Sequence, residues 1–233
     1  MIGKLVGVGA AAGVAVHSAP ALAPLVSGLG SKLGIAQRQD GAAGVALTFD
    51  DGPHPQGTPI VLEILREADA RATFFLVGEQ VERRPALVAE IVAAGHRVEL
   101  HCHRHRNLLR LTAGQFLEDA ERARVAIEDA GGQPVADHRP PYGIYSTATL
   151  RACRRRGWRP VLWSKWGRDW RGRATARSIA CRATESVRDG DIVLLHDADY
   201  YSAPGSWART AAALPIIVEE LGSRGLKTVS LRR

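Results

Sequence analysis

The sequence predicts an α/β fold in which about seven parallel strands, each followed by a helix, form a closed or nearly closed barrel. Two observations carry that expectation. Short apolar runs alternate with segments of helical spacing along most of the chain, and chemically distinctive polar residues stand just after those runs. Alternation of this kind means parallel βα units, because a parallel strand needs a crossover connection. The C-terminal ends of barrel strands share one face, so polar groups that follow the strands would converge there.

Residues 1–40 differ from the rest in composition. Lys4 precedes the apolar run Leu5 to Val16, and small residues and prolines continue through Pro24. The pattern is signal- or anchor-like, with an apolar stretch short of the roughly 20 residues of a membrane span. Pro24 follows the Ala21-Leu22-Ala23 processing site, so an Ala/Gly-rich helix packed on the domain is the alternative. The expected location is the cell envelope, secreted or membrane-anchored, with the cytoplasm as the alternative. Residues 41–233 read as one catalytic domain, since a single core accommodates a chain of this size.

Within that domain Val45 to Phe49 predicts a buried strand ending in Asp50-Asp51-Gly52-Pro53, a carboxylate pair and a turn signal. Thr58 to Ala68 predicts a helix, Ala72 to Leu76 a strand, Pro85 to Ala94 a helix and Arg97 to Leu100 a strand. Thr112 to Ala130 is the longest helical pattern, closed by Gly131-Gly132. Three further pairs follow: a short segment near His138-Arg139 with helix Ser146 to Arg156, Pro160 to Trp163 with helix Thr175 to Val187, and Ile192 to Leu195 with helix Trp207 to Leu221. Thr228 to Leu231 predicts a last strand.

Composition narrows the function classes. Hydrophobic residues make up 45% and charged residues 24% of 233, which is the range of folded domains and not of disordered chains. The net charge of +7 would favour anionic polymers, but no binding motif accompanies it, so no nucleic-acid partner is expected. Cys102, Cys153 and Cys181 have no CxxC spacing, which argues against a zinc ribbon or a disulfide framework and leaves a Cys153–Cys181 bridge open.

His101 and His105 stand four apart, so on a helical turn both imidazoles would point the same way while His103 points elsewhere. A carboxylate from Asp50-Asp51 would complete a ligand set of two nitrogens and one oxygen with positions left open, the pattern of a catalytic metal site. Zinc suits it, with cobalt or nickel as alternatives. Adjacent carboxylates can also divide the work, one binding the cation and the other accepting a proton.

These residues resemble a known family. Thr48-Phe49-Asp50-Asp51-Gly52-Pro53 resembles the first motif of the NodB-homology polysaccharide deacetylases, carbohydrate esterase family four. His101-Cys102-His103-Arg104-His105 is similar to the second, Arg139-Pro140-Pro141-Tyr142-Gly143 to the third, Asp169-Trp170 to the core of the fourth and Leu194-Leu195-His196 to the fifth. The resemblance spans about residues 44 to 231 and implies a distorted (β/α) barrel. It implies that Asp51, His101 and His105 hold the metal, that Asp50 is the general base tuned by Arg139, and that Asp169 orients the general acid His196. Substrate would meet Pro141, the backbone N–H of Tyr142, Trp170 and Leu194. The implied activity is removal of N-acetyl groups from an N-acetylglucosamine-containing glycan of chitooligosaccharide or peptidoglycan type, by a monomer, with release of acetate. The alternatives are an O-acetyl esterase on xylan or a similar polymer and a non-catalytic glycan-binding module. Membrane or cell-wall association would come through the N-terminal segment.

Three positions depart from the family pattern: Cys102 replaces a usual Ser or Thr, Leu100 a polar residue, and Trp166 the first Asp of the fourth motif. The aromatic-rich stretches Trp163 to Trp170 and Asp197 to Trp207 would border the site.

Overall fold

A computed structural model describes residues 15–232. The strands are β1 (Val45–Asp50), β2 (Thr73–Leu76), β3 (Arg97–Leu100), β4 (Asp137–His138), β5 (Arg159–Pro160), β6 (Lys165–Trp166), β7 (Ile192–His196) and β8 (Thr228–Val229). Every pairing is parallel, in the order β5-β4-β3-β2-β1-β7-β6, with β8 beside the start of β1. The seven strands of that path curl into the expected distorted (β/α) barrel. β1 lies inside it between β2 and β7 and is buried along its whole length, as a strand covered on both faces must be.

The main helices are α1 (Gly57–Glu67), α2 (Gly78–Arg83), α3 (Pro85–Ala93), α4 (Ala113–Asp129), α5 (Thr147–Arg155), α6 (Ala176–Thr184) and α7 (Ser206–Ser223). Three of them start on capping boxes, Thr112 with Gln115, Ser146 with Thr149 and Thr175 with Ser178, in which side chains satisfy amides that the first turn leaves free. The core lies between helices and sheet: Phe49 stacks on Phe74 with centroids 5.1 Å apart, and Val61, Leu65, Leu214 and Ile217 are fully buried. Helix α2 was not anticipated.

The barrel does not close strand to strand. Its edges β5 and β6 are unpaired with each other, and residues 36–38 span the gap through a parallel bridge from Ala36 to Val161 and an antiparallel one from Arg38 to Asp191. This explains why the single strand expected over Pro160 to Trp163 is divided. Leu162 donates its amide to Ala36, whereas Ser164 donates to Ile192 of β7, so the chain crosses from one edge to the other between β5 and β6. The last strand is also shorter than expected. Beyond β8, Leu231 donates its amide to Thr73 Oγ1 and Arg232 to Gln39 Oε1, which carries the C-terminal segment across the lower end of the barrel.

Of the N-terminal segment, residues 1–14 lie outside the described residues. The remainder packs on the domain: Ala23 and Ile35 are buried in the core, and Thr147 donates to the carbonyl of Val16. Among the described residues no helix is long and apolar enough to cross a membrane. Cys153 is buried and Cys181 exposed, both as free thiols, so the bridge left open by the sequence is not formed.

Candidate active site

The loops at the C-terminal ends of the strands meet over one cavity of about 220 Å³, walled by Asp50, Asp51, His101, His105, Tyr142, Trp170, Leu194 and His196 among others. Asp50 ends β1 and is level with His196 at the end of neighbouring β7. His101 and His105 follow β3. They converge, but not on a helix: residues 101–107 form an irregular loop with Cys102 at φ 64°. The two histidines therefore come together through this loop and not through the i, i+4 spacing of a helix. A left-handed kink after His101 swings the chain round, while His103 points away toward Glu82.

Asp51 Oδ1 lies 3.4 Å from His101 Nε2 and 3.3 Å from His105 Nε2. His101 Nδ1–H donates to the Arg139 carbonyl at 2.9 Å, which leaves Nε2 as a bare lone pair. Asp51 Oδ1 is buried without a hydrogen-bond partner. Three acceptor atoms aimed at one point repel unless a cation stands between them, so this donor set fits a divalent ion with open positions for other ligands. Burial pushes the Asp51 carboxyl up, but with the surrounding imidazoles protonated a hydrogen bond from His101 and the charges of His196 and His105 outweigh it and hold it at about 2, so Asp51 stands ionised as a ligand must. Burial lowers His105 to about 4, keeping the imidazole neutral as a ligand must be.

On one side of this triad Arg139, fully buried, donates through Nη1 to Asp50 Oδ1 at 2.7 Å and to Thr48 at 2.8 Å, and through Nη2 to the Leu162 carbonyl at 3.0 Å. A second oxygen, Asp50 Oδ2, lies 3.9 Å from His101 Nε2. On another side Asp169 accepts three donors: His196 Nδ1–H at 2.9 Å, the His196 amide at 2.7 Å and the Thr210 hydroxyl at 2.7 Å. The imidazole is thereby fixed with Nε2 as its remaining nitrogen. Burial lowers the His196 pKa, yet Asp169 and then Asp51 and Asp50 raise it to about 10.

Asp51, Cys102, Tyr142 and Arg168 all have positive φ, a conformation non-glycine residues seldom adopt and one that gathers at functional sites. Tyr142 sits in the turn Pro141–Gly143, its ring edge-on to His105 with centroids 4.4 Å apart. Pro141 is buried beneath that turn and is not part of the cavity wall. Arg139 and Asp169 likewise lie behind the wall and act on it through Asp50 and His196.

Tyr201, from the stretch expected to border the site, and Thr210, which the sequence did not single out, complete the arrangement. Tyr201 stacks on His105 with centroids 4.2 Å apart and planes 7° from parallel, and donates its hydroxyl to Glu79 at 2.6 Å. Thr210, in the first turns of α7, anchors Asp169 and carries no sequence signal of that task. Cys102 faces away from the triad. Its thiol meets His138 Nε2 at 3.3 Å, and His138 Nδ1–H donates to Tyr145 Oη at 2.6 Å, whose hydroxyl donates to the His138 carbonyl. Burial pushes the Cys102 thiol well up and His138 down to about 3, so this is a neutral hydrogen-bonded chain.

The family model for polysaccharide deacetylase matches residues 37–161. A chitooligosaccharide deacetylase of Azorhizobium caulinodans is 35% identical over 207 residues, covering 86% of this chain and 97% of that protein. A peptidoglycan-N-acetylglucosamine deacetylase of Bacillus cereus is 34% identical over 189 residues, covering 80% and 85%. Among solved structures, a family 4 carbohydrate esterase from Streptomyces lividans in complex with acetate superposes with a TM-score of 0.72 at 31% identity, covering 80% of this chain and 91% of that one.

Proposed function

Because this chain belongs to the polysaccharide deacetylase family, the NodB-homology carbohydrate esterases of family four, we propose that it hydrolyses N-acetyl groups of an N-acetylglucosamine glycan to acetate and a free amine. One observation carries the reading furthest: a cation-binding triad, a carboxylate held by a buried arginine and an imidazole held by a buried carboxylate face one cavity.

Asp51, His101 and His105 would hold a divalent ion, zinc by its preference for this donor set, which would supply a Lewis acid for the acetyl carbonyl and lower the pKa of water. Asp50 takes the proton of the attacking water, and Arg139 keeps its carboxylate oriented. The amide N–H of Tyr142, in its left-handed turn, donates to the developing oxyanion; one such donor typically contributes about 2.7–4 kcal/mol. Leu194 offers an apolar surface for the acetyl methyl, and Trp170, edge-on to His196, borders the sugar. Protonation of the amine by His196 Nε2 completes C–N cleavage. An imidazolium stabilised by Asp169 favours amide over ester chemistry, because an amine leaves only when protonated. Curated relatives acting on cell-wall glycan support a cell-envelope setting, reached through the N-terminal segment.

The test is acetate release from N-acetylglucosamine oligomers, peptidoglycan fragments and acetylated xylan by protein loaded with zinc, cobalt or nickel. Release from the N-acetyl substrates, abolished by chelation and by His101→Ala with His105→Ala, is expected. Release from xylan alone would replace this reading with the O-acetyl esterase, and binding without release would leave a glycan-binding module.

A further inference from the structure

Next to the catalytic cavity lies a larger one, of about 640 Å³, roofed by residues 23–28 and floored by the segment around Trp163 and Trp166. The two cavities share Trp163 and Trp166 as a common wall. They also meet at Gly143, whose φ is 71° and where a β-carbon would come within 2.6 Å of the Trp163 ring and 3.2 Å of Pro24. From His196 a row of rings leads toward the larger cavity: His196 to Trp170 at 5.8 Å, Trp170 to Trp166 at 5.3 Å and Trp166 to Trp163 at 5.7 Å between centroids.

We infer that this second cavity is a binding subsite for further sugar units of a linear glycan whose acetylated unit occupies the catalytic pocket, and that the N-terminal segment thereby sets the substrate's length. The inference rests on the deacetylase reading of the neighbouring site. Four features argue for a glycan as occupant. The volume falls within the roughly 300–1,000 Å³ of small-molecule sites, a size that suits a disaccharide. Between the catalytic imidazole and the second cavity stand the half-buried indoles of Trp170 and Trp166, backed by the buried Trp163, and their apolar ring surface suits the C–H faces of pyranose rings. The lining alternates such faces with hydroxyl, amide and charged groups, Ser27, Ser31, Gln37 and Asp40, able to exchange hydrogen bonds with sugar hydroxyls. Lastly, Leu25 and Val26 stand 72% and 48% exposed on the rim, large apolar side chains that would gain cover from a bound chain.

The geometry also gives Trp166 a use. The family's carboxylate at that position is replaced by a ring with Arg168 above it at 4.6 Å, so the wall between the two cavities pairs an indole with a guanidinium whose N–H groups can donate to sugar hydroxyls. Residues 23–28, which roof this subsite, come before residues 37–161, the stretch matched by the family model.

The experiment compares N-acetylglucosamine oligomers from dimer to hexamer with metal-loaded wild type, Ser31→Trp, which fills the cavity, and Val26→Arg, which alters its rim from an exposed position. Acetate release gives kcat/KM, and calorimetric titration of Asp50→Asn, with and without Ser31→Trp, gives binding without turnover. In wild type the hexamer should be preferred over the dimer by about tenfold, as contacts contributing about 1.4 kcal/mol give. The preference should appear in KM and in the calorimetric Kd, and it should collapse in Ser31→Trp and shrink in Val26→Arg. Deacetylation with no length preference, or with the same preference in both variants, overturns the subsite and leaves the deacetylase intact. No acetate from any oligomer overturns the deacetylase reading, and the calorimetry then decides: length-dependent binding lost in Ser31→Trp upholds the subsite, and its absence removes it too.

Discussion

Asp169→Asn separates a held general acid from a merely structural histidine. Asp169 presents two oxygens to three donors: Oδ1 takes His196 Nδ1–H, and Oδ2 takes the His196 amide and the Thr210 hydroxyl. Asparagine has one acceptor oxygen, which settles on the two donors at the Oδ2 position, so its NH₂ faces Nδ1 and forces the other tautomer. The charge lost is also the first of those that lift the imidazole from 6.5 to about 10 against burial. That difference of about 3.5 corresponds to about 5 kcal/mol, the net left after Asp169, Asp51 and Asp50 have offset burial. Loss of one neighbouring charge typically moves a pKa by about 1–3, so the alkaline limb of kcat/KM should fall by about that much. A cation on Asp51 lowers both limbs alike, which makes the displacement between variant and wild type the diagnostic quantity. On an N-acetyl oligomer the rate should drop by roughly 10²–10⁴-fold, and on an activated aryl acetate far less, because phenolate leaves unprotonated. The sign carries over to stability: a raised folded pKa contributes below 6.5 and is lost as the pH rises through 10, so the Tm gap between the two proteins should narrow across that interval. Equal losses on both substrates, or an undisplaced alkaline limb, would refute the role of His196 as acid.

Asp50→Asn should retain stoichiometric metal and lose roughly 10²–10⁴-fold in activity, whereas Asp51→Asn should lose metal first; metal analysis beside kinetics checks both. Cys102→Ser should keep the hydrogen bond to His138 and nearly all stability, while Cys102→Ala leaves a buried nitrogen unpaired and should cost about 1–3 kcal/mol in thermal denaturation. Burial and the neighbouring Asp137 raise Glu99 to about 7, so its contribution is full below about 4.5 and lost as the pH rises through 7. Wild type should accordingly lose Tm relative to Glu99→Gln between pH 5 and 8, and a gap constant with pH would contradict this.

The parts of the site that were legible in the sequence are those in which a side chain's task follows from its place after a strand. Asp50, Asp51, His101 and His196 follow or end apolar runs, and a parallel barrel brings such positions together whatever lies between them. Helix starts were legible for a similar reason, since Thr112, Ser146 and Thr175 carry their own hydrogen-bonding partner three residues on. The illegible parts depend on tertiary contact. The left-handed turn at Cys102 has no glycine to announce it, and Thr210 serves Asp169 only because α7 packs against the loop after β6. Periodicity could not show that residues 36–38 span the gap between the edges β5 and β6, because single bridges to Val161 and Asp191 leave no strand-length pattern. Yet that joint decides where residues 23–28 lie. Held at Ala36 and Arg38, the preceding segment has only a few residues in which to turn, and it comes to rest over Trp163 and Trp166 at the edge of the catalytic cavity. The composition that reads as an address label in the sequence thus forms, from residue 23 onward, one wall of the space beside the site.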